Sequence, residues 1–160
     1  AIKPAATHSK TQTIGILATQ GTLNSELFNK TAEKFQETKI IEQVGHGLVE
    51  LIENGEINSP KMTELLRSYL QPMIDNNIDY LVLGCSHYPY LIPQIKKILP
   101  ADIKIIDSGE AVAKQVKNVL KEKVGFSSNE KTEPVFYTNS NPKVLSEILG
   151  NKYKVIEKDF

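Results

Sequence analysis

The chain predicts an α/β fold, a mostly parallel sheet with helices on both faces. Apolar runs of strand length recur at residues 13–18, 40–44, 80–83 and 103–106, and amphipathic stretches of helical period separate them. Strands alternating with helices in this way favour parallel pairing, because a parallel neighbour needs a crossover long enough to hold a helix. The polar residues with chemical potential gather where these runs end, which is where open α/β sheets bind ligands.

Residues 13–18 form the first strand, followed by a turn at Gln20-Gly21 and a helix over 24–35. Residues 40–44 enter the turn Gly45-His46-Gly47, in which His46 is structural, and a short helix covers 48–53. Ser59-Pro60 reads as an N-cap followed by proline in the first turn. Met62, Leu65, Leu66 and Tyr69 give that helix its apolar face, and Pro72 is expected to kink it. A strand at 80–83 precedes a helix at 91–99, and a strand at 103–106 precedes a helix marked by Val112, Val116, Val119 and Leu120. Residues 126–133, rich in Ser, Lys and Glu, read as a linker, before a strand at 135–138, a helix at 142–149 and a strand at 153–156.

Composition narrows the function classes. The 160 residues can bury one core, and nothing demands two independent domains. Nineteen basic and nineteen acidic residues cancel, so there is no electrostatic footprint for nucleic acid or an anionic membrane. No apolar run has the length of a membrane helix, and no signal-peptide pattern opens the chain. One cysteine and three scattered histidines give neither a disulfide nor metal-ligand spacing, so no metal is expected. A lone cysteine favours a reducing, cytoplasmic setting.

Three strand ends carry useful side chains. Ala18-Thr19-Gln20-Gly21-Thr22 offers two hydroxyls and backbone N–H groups to a carboxylate, although Thr22 would serve equally as a helix cap. It contains no phosphate-loop lysine and no dinucleotide fingerprint. In the second, Glu53 ends an apolar helical stretch, a place where most glutamates are simply solvated. The third is Leu83-Gly84-Cys85-Ser86-His87-Tyr88-Pro89, which holds the sole cysteine. A lone buried cysteine is ordinarily an inert small hydrophobe. Here it lies between a strand and a predicted helix whose N-terminus would favour thiolate, with His87 two residues on.

This last stretch closely resembles the second catalytic-cysteine motif of the glutamate racemases, Gly-Cys-Thr-His-Tyr-Pro, with Ser86 in place of the threonine. The resemblance extends to residues 14–22, to 48–55 with Glu53 at the family's glutamate, to 78–83, and to Ile106-Asp107-Ser108-Gly109. It implies a cofactor-independent reaction in which two cysteines on opposite faces of glutamate remove and deliver the α-proton, supplying D-glutamate to bacterial cell-wall precursor synthesis. On that resemblance Cys85 is the acid/base that takes the proton from L-glutamate and Ser86 a substrate contact. His87 is a proton-transfer or electrostatic helper that Glu53 orients, and Thr19 and Thr22 are carboxylate contacts. His87 favours glutamate over aspartate, because related racemases more often carry another residue there.

The family's other cysteine, in a Cys-Asn-Thr motif of an amino-terminal lobe, has no counterpart in these residues. The chain is therefore expected to be a carboxy-terminal portion, inactive alone, with glutamate and the missing lobe as partners and a homo-oligomer left open. Residues 1–106 would form the second lobe and 107–160 would return to the first. Two other readings stay open: a related isomerase or decarboxylase working with one cysteine, and a non-catalytic binding or regulatory module.

Overall fold

The computed structural model describes residues 2–125 and 133–160. The linker expected at 126–133 thus lies outside the described residues except for Glu133. Four strands, β1 (Thr13–Ala18), β2 (Lys39–Val44), β3 (Tyr80–Gly84) and β4 (Lys104–Ile106), form a wholly parallel sheet in the order β2-β1-β3-β4. Side chains alternate across it as the pleat requires. Ile14, Ile16, Ala18, Tyr80 and Val82 face one apolar layer, whereas Leu17, Leu81 and Leu83 face the other.

The first layer is covered by α1 (Ile2–His8), α2 (Gln20–Leu23) and α3 (Glu26–Ala32), through Ile2, Ala5, Leu23 and Phe28. The second is covered by α4 (Leu48–Glu53), α5 (Pro60–Asp75) and α6 (Ile92–Ile95). Met62, Leu66, Leu70 and Met73 of α5 are wholly buried. Each such side chain contributes about 1.5–3 kcal/mol relative to an exposed one.

Ser59 caps α5 as its sequence predicts, its Oγ accepting the Met62 N–H at 3.1 Å, and the helix runs on past Pro72 to Asp75. Elsewhere the elements differ from the expectation. The helix expected over 24–35 is interrupted at its start. Gln20-Gly21 opens the short α2, Asn24 closes it, and Ser25 turns to extended backbone and caps α3. The helix expected over 91–99 is a 3-10 turn, Tyr88–Leu91, followed by α6 alone. Pro93 has no N–H to give the Pro89 carbonyl four residues back, and the chain takes it up in the first turn of α6, where no such bond is needed. Helix α1 was not expected; with Ile2 and Ala5 as its only buried residues, it shows too little apolar period to read.

After β4 the chain leaves the sheet. Helix α7 (Gly109–Lys123) buries no residue, and its apolar stripe stands open, with Val112 56% and Val116 51% exposed. A separate parallel pair, β5 (Val135–Thr138) and β6 (Lys154–Glu157), encloses α8 (Pro142–Ile148), and the Phe136 and Tyr153 rings meet at 5.3 Å. Ile148 of α8 packs against the α4–α5 side of the core.

One carboxylate ties α1 to the sheet. Asp79, just before β3, accepts from Ser9 Oγ at 2.6 Å and from the N–H groups of Lys10 and Thr11 at 2.5 and 3.3 Å. Burial pushes its pKa up, but these hydrogen bonds, led by that from Ser9, outweigh burial and hold it below the usual carboxylate value. A lowered folded pKa gives stability that is full above the unfolded value and lost as pH falls through the folded one. Asp79→Ala is therefore expected to cost about 1 kcal/mol at pH 7, a modest figure because water screens the site. Urea unfolding at pH 7 and again below the folded pKa should show the difference shrinking.

Candidate active site

The strand order sets the location. From β1 the chain moves first to β2 on one side and later to β3 on the other, so the crevice at the carboxyl ends of β1 and β3 is a topological switch point. Ala18 and Gly84 are paired at those ends, which sets Thr19 and Cys85 side by side. The missing side chain at Gly84 permits this closeness. A Cβ there would lie 2.7 Å from that of Ala18 and 3.4 Å from the Thr22 methyl.

Cys85 is half-buried, and the Tyr88 N–H bonds back to its carbonyl at 3.3 Å, closing the turn that leads into the 3-10 residues Tyr88–Leu91. The expected long helix, with its N-terminal dipole beside the thiol, is replaced by this turn and the four residues of α6. His87 takes over as the nearest polar partner. Its Nδ1 lies 3.9 Å from Cys85 Sγ and 3.4 Å from Ser86 Oγ.

Glu53, the last residue of α4, completes a chain of contacts, its Oε1 lying 3.0 Å from His87 Nε2. A carboxylate can only accept, so Nε2 carries the hydrogen, and in the neutral form of the ring Nδ1 is left with a lone pair toward the thiol and the Ser86 hydroxyl. Both side chains are substantially open, 34% for His87 and 64% for Glu53. The pair therefore adds at most about 1 kcal/mol to stability, and its consequence is orientation of the ring.

The base of this arrangement is firm. The wholly buried Tyr88 donates its hydroxyl to the Gly45 carbonyl at 3.0 Å, and burial pushes its pKa up, so it remains a donor. This bond joins the Cys85 turn to the loop that starts α4. Gly47 in that loop has φ +76°, a backbone that favours glycine. Tyr69 donates to the carbonyl of the exposed His46, consistent with a turn role for that residue.

The site residues expected from sequence divide between two cavities. Cys85, Ser86 and Thr22 line one of about 520 Å³ on the α1–α3 side. Glu53 and His87 line another of about 440 Å³, closed by residues 138–141 between β5 and α8. His87 joins the two, one ring nitrogen toward the thiol and the other toward Glu53. Thr19 is not in the lining of the Cys85 cavity, and it, rather than Thr22, caps α2, its Oγ1 accepting the Thr22 N–H.

Sequence reading missed Ser25, Ser108 and Lys3 as lining of the Cys85 cavity. Ser25 lies within a stretch whose apolar period suggests one continuous helix, and Ser108 follows β4 with no local signal that it reaches the cavity. Among the described residues no group of three His, Cys, Asp or Glu could hold a metal ion, and no helix is long and apolar enough to cross a membrane.

The sequence profile described as Asp/Glu/Hydantoin racemase matches residues 1–116. The glutamate racemase of Pseudomonas entomophila (strain L48) is 41% identical over 150 residues, which make up 93% of this chain and 57% of the relative. The crystal structure of Escherichia coli glutamate racemase in complex with L-glutamate and activator UDP-MurNAc-ala matches with a TM-score of 0.80 at 26% identity, over 99% of this chain and 62% of that one. Glutamate racemase from Francisella tularensis in complex with D-glutamate gives a TM-score of 0.74 at 26% identity, over 93% and 57%. This chain spans somewhat more than half the length of the relatives it matches.

Proposed function

Because the chain belongs to the Asp/Glu/hydantoin racemase family, we propose that it supplies one face of a glutamate-racemising site, with Cys85 as the acid/base on that face. The observation that carries this reading is the thiol at the β1–β3 switch point, set among hydroxyls and backed by His87 and Glu53.

His87 Nδ1 accepts the Cys85 proton, leaving a thiolate. The thiolate takes the α-proton of L-glutamate, and the electron pair left on the α-carbon spreads into the adjacent carboxylate. Hydroxyl donors from Ser86 and Thr22 stabilise that charge as it develops. A second thiol on the opposite face, from chain outside these 160 residues, gives its proton to the α-carbon and completes inversion. The reverse reaction exchanges the two roles. D-glutamate so formed enters peptidoglycan precursors, and residues 107–160 pack against the remainder of the protein through α7.

Occupancy is testable at Cys85 itself, because only its thiolate reacts with iodoacetamide. L- and D-glutamate should both slow alkylation of the 160-residue chain, and aspartate, one methylene shorter, should do so less. Alkylation unaffected by millimolar glutamate would overturn the reading.

A further inference from the structure

We infer that Thr19 is a positioning residue that aims the Thr22 hydroxyl at the ligand's carboxylate and does not itself touch the ligand. The inference rests on the Cys85 cavity being the glutamate site.

Thr22 lines that cavity beside Cys85 and Ser86, and Thr19 is outside its lining. The Thr22 side chain is held from two directions. Its methyl lies over Gly84, where an added Cβ would be only 3.4 Å away, and its hydroxyl lies 3.0 Å from Thr19 Oγ1. A β-branched side chain gripped in this way keeps one rotamer.

The hydroxyls have a definite proton balance. Each has one hydrogen to donate and two lone pairs. Thr19 Oγ1 already accepts the Thr22 N–H at 3.3 Å, which leaves its own hydrogen to donate. Donated to Thr22 Oγ1, that hydrogen frees the Thr22 O–H to point into the cavity. In the opposite sense Thr22 spends its hydrogen on Thr19 and presents only lone pairs, which repel a carboxylate. A bound anion therefore selects the first arrangement, and Thr19 is the residue that makes it available.

The test separates donating from capping, using glutamate protection of Cys85 against iodoacetamide in the 160-residue chain. Asn caps a helix as well as Thr or better but offers an acceptor oxygen at the capping position. Thr19→Asn should keep the melting temperature within about 2 °C, by the near-equivalence of these caps, yet raise the half-protecting glutamate concentration about tenfold. Thr22→Val should raise it at least as much, and Thr19→Ser, which restores a hydroxyl, should stay close to the native chain. Native-like protection in Thr19→Asn or in Thr22→Val would overturn the inference while leaving the glutamate site standing. Absence of protection in the native chain would remove both.

Discussion

Cys85→Ser is expected to abolish racemisation by a protein that carries this chain, lowering kcat by more than about 10²-fold with little change in stability. Serine is nearly isosteric with cysteine, and Cys85 is half-buried at a turn whose bonds run through backbone and Tyr88, so the fold keeps its contacts. A hydroxyl at that position is far too weak an acid for His87 to ionise near neutral pH, and the α-proton has no base on this face. His87→Asn and Glu53→Gln should fall between this variant and the native protein. The first removes the proton acceptor 3.9 Å from the sulfur, and the second removes only the charge that orients it. Racemisation measured by circular dichroism of glutamate gives the ranking. Retained turnover in Cys85→Ser would end the assignment of Cys85 as acid/base.

What the sequence made legible was local. Strands β1 and β3 are continuous apolar runs, buried along almost their whole length, and such runs read clearly. Ser59-Pro60 marked the start of α5 because capping is decided within one turn. The places that resisted are those where neighbouring signals compete. Asn24 and Ser25 are both cap-type residues, so a break between α2 and α3 and a single frayed helix start look alike in sequence. Pro89 and Pro93 each fit the first turn of a helix and together break one helix into two short turns.

The site divides the same way. Cys85, Ser86 and His87 are adjacent in the chain, so their grouping needs no fold to reveal it. The contact between Glu53 and His87 spans thirty-four positions and was expected only through the resemblance to glutamate racemases. Periodicity has nothing to say about which way each imidazole nitrogen faces, and hence about the division into two cavities. The closure of the second cavity by residues 138–141 depends on how α8 docks, through Ile148, onto a core built from residues far earlier in the chain.

The 160-residue chain alone is expected to show no measurable inversion of glutamate, and inversion should appear when the remaining portion of a full-length relative is supplied. Inversion requires that one group remove the α-proton and another deliver a proton to the opposite face. A single base tends to return the proton to the face it came from. Cys85 is the sole cysteine here, and His87, in contact with its sulfur, shares its face. Loss of one acid/base group costs about 10²–10⁴-fold, and an open crevice loses the orientation and exclusion of water that a closed one supplies. The apolar stripe of α7, with Val112 and Val116 more than half exposed, is the surface on which the proposed second lobe is expected to assemble. The partner for the experiment is the portion of the Pseudomonas entomophila racemase that lies outside its match to this chain. D-glutamate formation and deuterium uptake at the α-carbon should be absent for either piece and present for the mixture. Deuterium uptake without inversion by the chain alone would show Cys85 working as a one-face base. Rapid inversion by the chain alone would mean that its opposite-face donor is already among these residues, and the two-thiol reading would fall.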